Sequence, residues 1–171
     1  MIIKPCKSEA LKYGYNGFNV DWEPANNVPI KPNETDAQNY AKFLDYFSKE
    51  MHAINKTLSV DVATWSKIWN FTAITMTSID YVIPMNTYTD NYDTWMNNLN
   101  YDIKYIDNNS KLVIGLSTLN LSDDQPFTQQ QLQMRLDQLK QDNIDKIAIW
   151  RMALQNDWYQ LLQGFVGSCL N

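Results

Sequence analysis

The chain has 171 residues, 44% of them hydrophobic and 13% aromatic, which is enough for one folded domain with a sizeable core and too apolar for a disordered segment. Its formal net charge is -5 with no basic cluster, which argues against nucleic acid and anionic membrane as partners. No apolar run approaches a membrane span, and "MIIKPCKSEALKYGYNG" lacks the charged start, long apolar stretch and small-residue cleavage site of a signal peptide.

Taken in chain order, "KSEALKYGYNG" reads as the end of a helix closed by a Gly or Asn cap. The run from Gly17 to Glu23 then alternates, so as a strand it turns Asn19, Asp21 and Glu23 to one side and Phe18, Val20 and Trp22 to the other. It stops at Pro24, where a loop rich in Asn and Pro begins. Thr35 with Gln38 forms a capping box for a helix to Ile54, apolar at Tyr40, Phe43, Leu44, Phe47, Met51 and Ile54. "TLSVDVATW" is the next strand, followed by a helical turn around Phe71 to Thr77 and the strand "IDYVIPMNTY". The following helix puts Trp95, Leu99, Ile103 and Ile106 on one stripe, and "KLVIGLSTL" is the continuous apolar run of a strand buried on both faces. Thr128 with Gln131 caps a helix to Lys140, "KIAIW" is the last strand, and "WYQLLQGF" a closing helix.

This order predicts an α/β fold of about five β/α units with parallel strands, in one domain spanning 1–171. A complete (β/α)8 TIM barrel takes about 250 residues, so the chain reads as an incomplete barrel that opens on the end of a helix. Acids at the carboxyl end of a strand are where such barrels keep their chemistry. The plainer reading of Asp21 and Glu23 is a half-solvated surface strand.

"NGFNVDWEP" resembles the DGxDxDxE motif of glycoside hydrolase family 18, the chitinases and their relatives, with Asn16, Gly17, Asn19, Asp21 and Glu23 in the motif's places. "VDVATWS" is similar to the family's fifth strand, "YVIPMNTYTD" to the sixth with its Met-x-Tyr-Asp motif, "KLVIGLS" to the seventh and "IAIW" to the eighth. The resemblance covers strands four to eight and leaves out one to three. The motif is also similar to that of lysosomal di-N-acetylchitobiase, which has Asn at the place of Asn19.

The resemblance implies a hydrolase of β-1,4-linked N-acetylglucosamine, in chitin oligosaccharides or chitobiose, acting by a substrate-assisted retaining mechanism without a cofactor. It implies Glu23 as general acid and base, Asp21 as the acceptor that holds the substrate acetamide, and Tyr88 beside the acetamide oxygen. Trp150 would floor the sugar site, with Asn19, Asp90 and Trp65 as further substrate-binding positions. Trp65 and Trp69 read first as loop aromatics over a core edge and second as a sugar platform, and Asp61 as a second-line candidate reaching the barrel interior. There are departures too. Asn16 stands where the family has Asp. Asn19 removes the acid that shares a proton with the next one, leaving Glu23 as the one acid to act on Asp21. "MNTYTD" is two residues longer than Met-x-Tyr-Asp, and an ungapped match puts Thr87 and Tyr88 in its last two places.

Other readings belong beside this one: a non-catalytic chitin- or glycan-binding relative, an inactive remnant, or a chain that pairs with another supplying the missing strands. Asn-x-Ser/Thr acceptors at Asn33, Asn55, Asn70, Asn108 and Asn120 point to an exported glycoprotein, which the resemblance implies is secreted or lysosomal. Cys6 and Cys169 are either one disulfide or two thiols, and neither has a second ligand at metal-binding spacing. His52 reads as a solvated helix residue. The short "STLNLSDDQPF" stretch leaves no room for a cleft-deepening insertion, so a shallow cleft is expected.

Overall fold

The computed structural model describes residues 2–24, 31–106, 109–120, 122–151, 154 and 156–169, with side chains omitted for 156, 157, 168 and 169. The elements are α1 (Ile3–Tyr13), β1 (Gly17–Val20), α2 (Glu34–His52), β2 (Thr57–Val62), α3 (Phe71–Thr75), β3 (Tyr81–Pro84), a 3₁₀ turn (Met85–Thr87), α4 (Tyr92–Tyr105), β4 (Ile114–Ser117), α5 (Gln129–Gln141), β5 (Ile147–Trp150) and α6 (Asn156–Cys169). Strands β1, β2 and β3 pair parallel in that order, as do β4 and β5. A parallel bridge between Val82 and Leu112 joins the two groups: Val82 N–H donates to Lys111 O at 2.8 Å and Val113 N–H to Val82 O at 3.0 Å. Five strands in chain order, each followed by a helix, make an arc of barrel wall, as the alternation of the sequence predicted.

Local chemistry sets the boundaries. Gly14, at φ +71°, closes α1 in the left-handed conformation that a residue without Cβ adopts at no steric cost. Helix α2 is capped two residues earlier than expected. The Asn33 side-chain oxygen accepts from Thr35 N–H at 2.8 Å and Asp36 N–H at 3.1 Å, and the Asp36 carboxylate accepts from Asn33 N–H at 2.9 Å. That reciprocal box replaces the Thr35/Gln38 pair, and α2 ends at His52 rather than Ile54. The Thr128/Gln131 box of α5 is present as predicted. Strand β1 is shorter than its alternation, because its ladder with β2 ends at the Val20–Val60 pair.

The core lies between sheet and helices. Leu58, Val60 and Val62 turn to the helical side and are fully buried with Leu44 and Met51 of α2, while Ser59 and Asp61 take the opposite, strand-lined side. Strand β4 is buried at all four residues, as a strand covered on both faces should be. On α4 the expected stripe holds, with Trp95, Leu99 and Ile106 fully buried and Ile103 packed against them, and it also buries Asp102 completely.

His52 is not merely solvated. Its Nε2 pairs with Asp80 at 2.9 Å, and the same carboxylate accepts Leu58 N–H at 2.8 Å, tying the end of α2 to the start of β2 and β3. Cys6 is a half-buried free thiol, and the Cys169 side chain lies outside the described residues. Among the acceptor asparagines Asn33 and Asn55 are exposed, Asn70 and Asn120 are half-buried, and Asn108 lies outside the described residues. Among the described residues no helix is long and apolar enough to cross a membrane.

Candidate active site

The ladder register decides which side chains meet. Pairing of β1 with β2 sets Asn19 beside Ser59, whose hydroxyl donates to Asn19 Oδ1 at 2.8 Å. Two positions further along β2, on the same face, Asp61 Oδ2 accepts from Asn19 Nδ2. Above them, at the carboxyl ends of the strands, opens a cleft of about 430 Å³ lined by Asp21, Glu23, Asp61, Trp65, Met85, Asn86, Tyr88 and Trp150. Asp21 and Glu23 lie just past the ladder of β1 in residues that continue its alternation. Trp22 between them therefore faces away and packs on Tyr40, ring centroids 5.3 Å apart.

Tyr88 and Trp150 close the opposite side, stacked with centroids 5.7 Å apart and planes 29° from parallel. Gly115 of β4 makes room for this pair, since a Cβ at that position would stand 2.4 Å from Tyr88 Cε1. Gly115→Ala is therefore expected to force the Tyr88 ring off Trp150 and to lower stability by about 1–3 kcal/mol, the range for overpacking a filled site. Urea denaturation checks this, and a variant as stable as the parent would mean that the ring yields freely.

Three carboxyl groups share the cleft. Burial pushes Asp61 up to about 6, the charges of Asp21 and Glu23 push the same way, and the hydrogen bond from Asn19 opposes them. Asp21 thus has a second acidic neighbour besides Glu23, contrary to the expectation from the sequence. Burial likewise raises the Tyr88 phenol to about 12, with Asp61 and Asp21 adding to the effect, so its hydroxyl stays protonated. Burial above all, then Asp61 and Asp21, raises the Tyr40 phenol as well. Among the described residues none donates a hydrogen bond to Asp21 or Glu23, and no three His, Cys, Asp or Glu side chains converge to hold a metal ion.

Of the residues expected at a site, the cleft gathers Glu23, Asp21, Tyr88, Trp150 and Trp65. Asn19 sits one layer lower and serves Asp61. Asp90 does not line the cleft: its carboxylate accepts from Ser122 Oγ at 2.5 Å and Asn91 N–H at 3.2 Å, and the Ser122 bond above all holds it below the usual carboxylate range. The carbonyls of Thr89 and Asp90 both accept from the buried Arg135 at 3.0 Å, which turns this segment toward α5. Thr87 is buried and donates to Pro84 O at 2.9 Å, so of the two residues offered by the ungapped match only Tyr88 faces the cleft.

Trp65 and Trp69 part company. Trp69 is buried in the core, whereas Trp65 is 50% exposed and lines the cleft, edge-on to Trp69 with centroids 5.4 Å apart. Asn86 was not foreseen, because one asparagine in an Asn-rich chain carries no signal. Its side-chain amide donates to Asp102 Oδ1 at 3.0 Å and its backbone carbonyl accepts from Asn98 Nδ2 at 2.5 Å. Burial pushes Asp102 up to about 8 against the opposing Asn86 bond.

The sequence matches no protein-family model and no curated protein. Among solved structures the chain is similar to a chitinase from Chromobacterium violaceum, with a TM-score of 0.73 and 12% identity over 98% of this chain and 70% of that one. It is similar to the Bacillus megaterium spore cortex-lytic enzyme SleL, with a TM-score of 0.75 and 13% identity over 96% of this chain and 52% of that one. A Group IV chitinase from Ostrinia furnacalis superposes with a TM-score of 0.73 and 13% identity, over 96% and 72% of the two chains. The fold is thus part of the TIM barrel of glycoside hydrolases, spanning from half to about seven tenths of these chains.

Proposed function

We propose that the protein hydrolyses β-1,4-linked N-acetylglucosamine, in chitin oligosaccharides or chitobiose, as a member of glycoside hydrolase family 18. The observation that carries this reading is the pair Asp21 and Glu23, two residues apart and facing one cleft at the carboxyl ends of the strands, opposite the stacked Tyr88 and Trp150. The glycosidase fold supports it, and the Ostrinia furnacalis chitinase has also been solved with allosamidin.

In the proposed reaction the acetamide oxygen of the sugar attacks its own anomeric carbon while Glu23 protonates the leaving glycosidic oxygen. The product is an oxazolinium ion and a shortened saccharide. Asp21 accepts the acetamide N–H, which aims the oxygen and leaves a negative charge beside the cation that forms. Tyr88, neutral across the physiological range, donates its hydroxyl proton toward the acetamide oxygen side. Glu23, now ionised, takes a proton from the incoming water, which opens the ring with overall retention. Trp150 lies under the sugar at the cleavage point, and the exposed Trp65 extends the apolar surface along the cleft. The Asn-x-Ser/Thr acceptors fit an exported or lysosomal protein in which such a substrate is met.

Turnover of a fluorogenic chitobioside against the matching cellobioside tests the mechanism. The chitobioside should be hydrolysed and the cellobioside, which has no 2-acetamido group, should not; comparable rates on both would remove the acetamide from the mechanism. A second reading, glycan binding without hydrolysis, is favoured by Asn19 in place of an acid. Tight chitotriose binding with no product from either glycoside would select it.

A further inference from the structure

We infer that Asp61, reaching the cleft from β2, is the proton-sharing partner of Asp21, performing from the neighbouring strand the task for which Asn19 has no carboxyl. The inference rests on the hydrolase reading above. Both ends of the Asn19 amide are committed, its oxygen to Ser59 and its N–H to Asp61 Oδ2, so Asn19 acts as a bracket that fixes a carboxyl group without carrying a proton itself. An amide N–H on Oδ2 leaves Oδ1 of Asp61 to hold the proton of the neutral acid.

The groups acting on Asp61 are Asp21 and Glu23 beyond β1, Tyr40 from α2 and Tyr88 beyond β3, all acidic and none cationic. Three carboxyl groups in one half-buried cleft do not all ionise readily, and a proton kept among them lowers their mutual repulsion. Asp61 is the member suited to keep it, being the one of the three that is bracketed and the more buried. When the acetamide N–H engages Asp21, the shared proton rests on Asp61 and Asp21 is left anionic to face the oxazolinium. Only an O–H bond changes owner, and no other bond of the protein is made or broken. Asp61 thus acts through Asp21 and is a positioning residue.

Carboxyl carbon-13 NMR titration of the purified protein reads this without any substrate. The Asp61 signal is expected to titrate near pH 6 and to fall by about one unit or more in Asp21→Asn, where the neighbouring charge is gone. Titration in the ordinary carboxylate range, or an Asp61 midpoint that ignores Asp21→Asn, overturns the inference. In the kinetic arm, Asp61→Asn keeps an acceptor for the Asn19 bracket and is permanently neutral. Its kcat/KM profile should lose the alkaline fall near pH 6, and Asn19→Asp added to it should restore a titrating limb. A purely structural Asp61 would leave the profile of Asp61→Asn unmoved. If no glycoside is turned over at all, the hydrolase reading fails, while the NMR coupling still decides whether Asp61 and Asp21 share a proton.

Discussion

Glu23→Gln is expected to lower turnover of unmodified chitotriose by about 10²- to 10⁴-fold, the usual contribution of a positioned general acid, while leaving its binding within a few-fold of the parent. The amide keeps the size and nearly the shape of the carboxyl group and removes only the transferable proton. A methylumbelliferyl glycoside departs as a stabilised phenolate and needs less help from an acid, so the loss on that substrate should be smaller than on chitotriose. The ratio of the two losses is therefore a signature of acid catalysis that a folding defect would not produce. Calorimetric titration with chitotriose, set beside product formation from both substrates, measures it. Turnover of chitotriose within about threefold of the parent would move the acid role to another carboxyl group of the cleft.

Asp102→Asn is expected to stabilise the protein by up to about 5 kcal/mol at pH 8 and to change little at pH 4. Asp102 is fully buried on α4, and its folded-state value of about 8 lies above the ordinary carboxylate value of 3.8. Between those two values the folded chain holds a proton that the unfolded chain has released. Stability from this group is thus greatest below about pH 4 and falls as pH rises toward 8, at about 1.4 kcal/mol per pH unit. The substituted amide has no charge to bury and so escapes that loss. It can also serve the same partner, since Asn86 Nδ2 donates to Asp102 Oδ1 while Asn86 Oδ1 and Asp102 Oδ2 are both buried without a partner. Urea denaturation at both pH values checks the claim, and an equal effect at the two would mean that Asp102 does not titrate in this window.

The order of elements was legible because caps and periodicity are local. Thr128 and Gln131 sit three apart in sequence and bind each other in the structure. The neighbouring helix shows the limit of that rule. Both Asn33/Asp36 and Thr35/Gln38 have the right spacing, and only the backbone path into the helix chooses the earlier pair. Asp21 and Glu23 were readable because alternation outlasts the ladder. Asp90 lies outside the cleft lining because the 3₁₀ turn at Met85–Thr87 resets which residue faces inward, and Arg135, 45 positions away, holds the segment that follows. The bond between Asn19 and Asp61 spans 42 positions, a distance over which spacing says nothing, although the alternation of "LSVDV" already set Ser59 and Asp61 on one face.

Strand β1 pairs with β2 and, among the described residues, with no other strand, whereas β2 has a neighbour on each side. Four ladder pairs, from Gly17–Thr57 to Val20–Val60, tie the strand that aims Asp21 and Glu23 to the rest of the sheet. The aim of both acids therefore rests on that one four-residue ladder with β2.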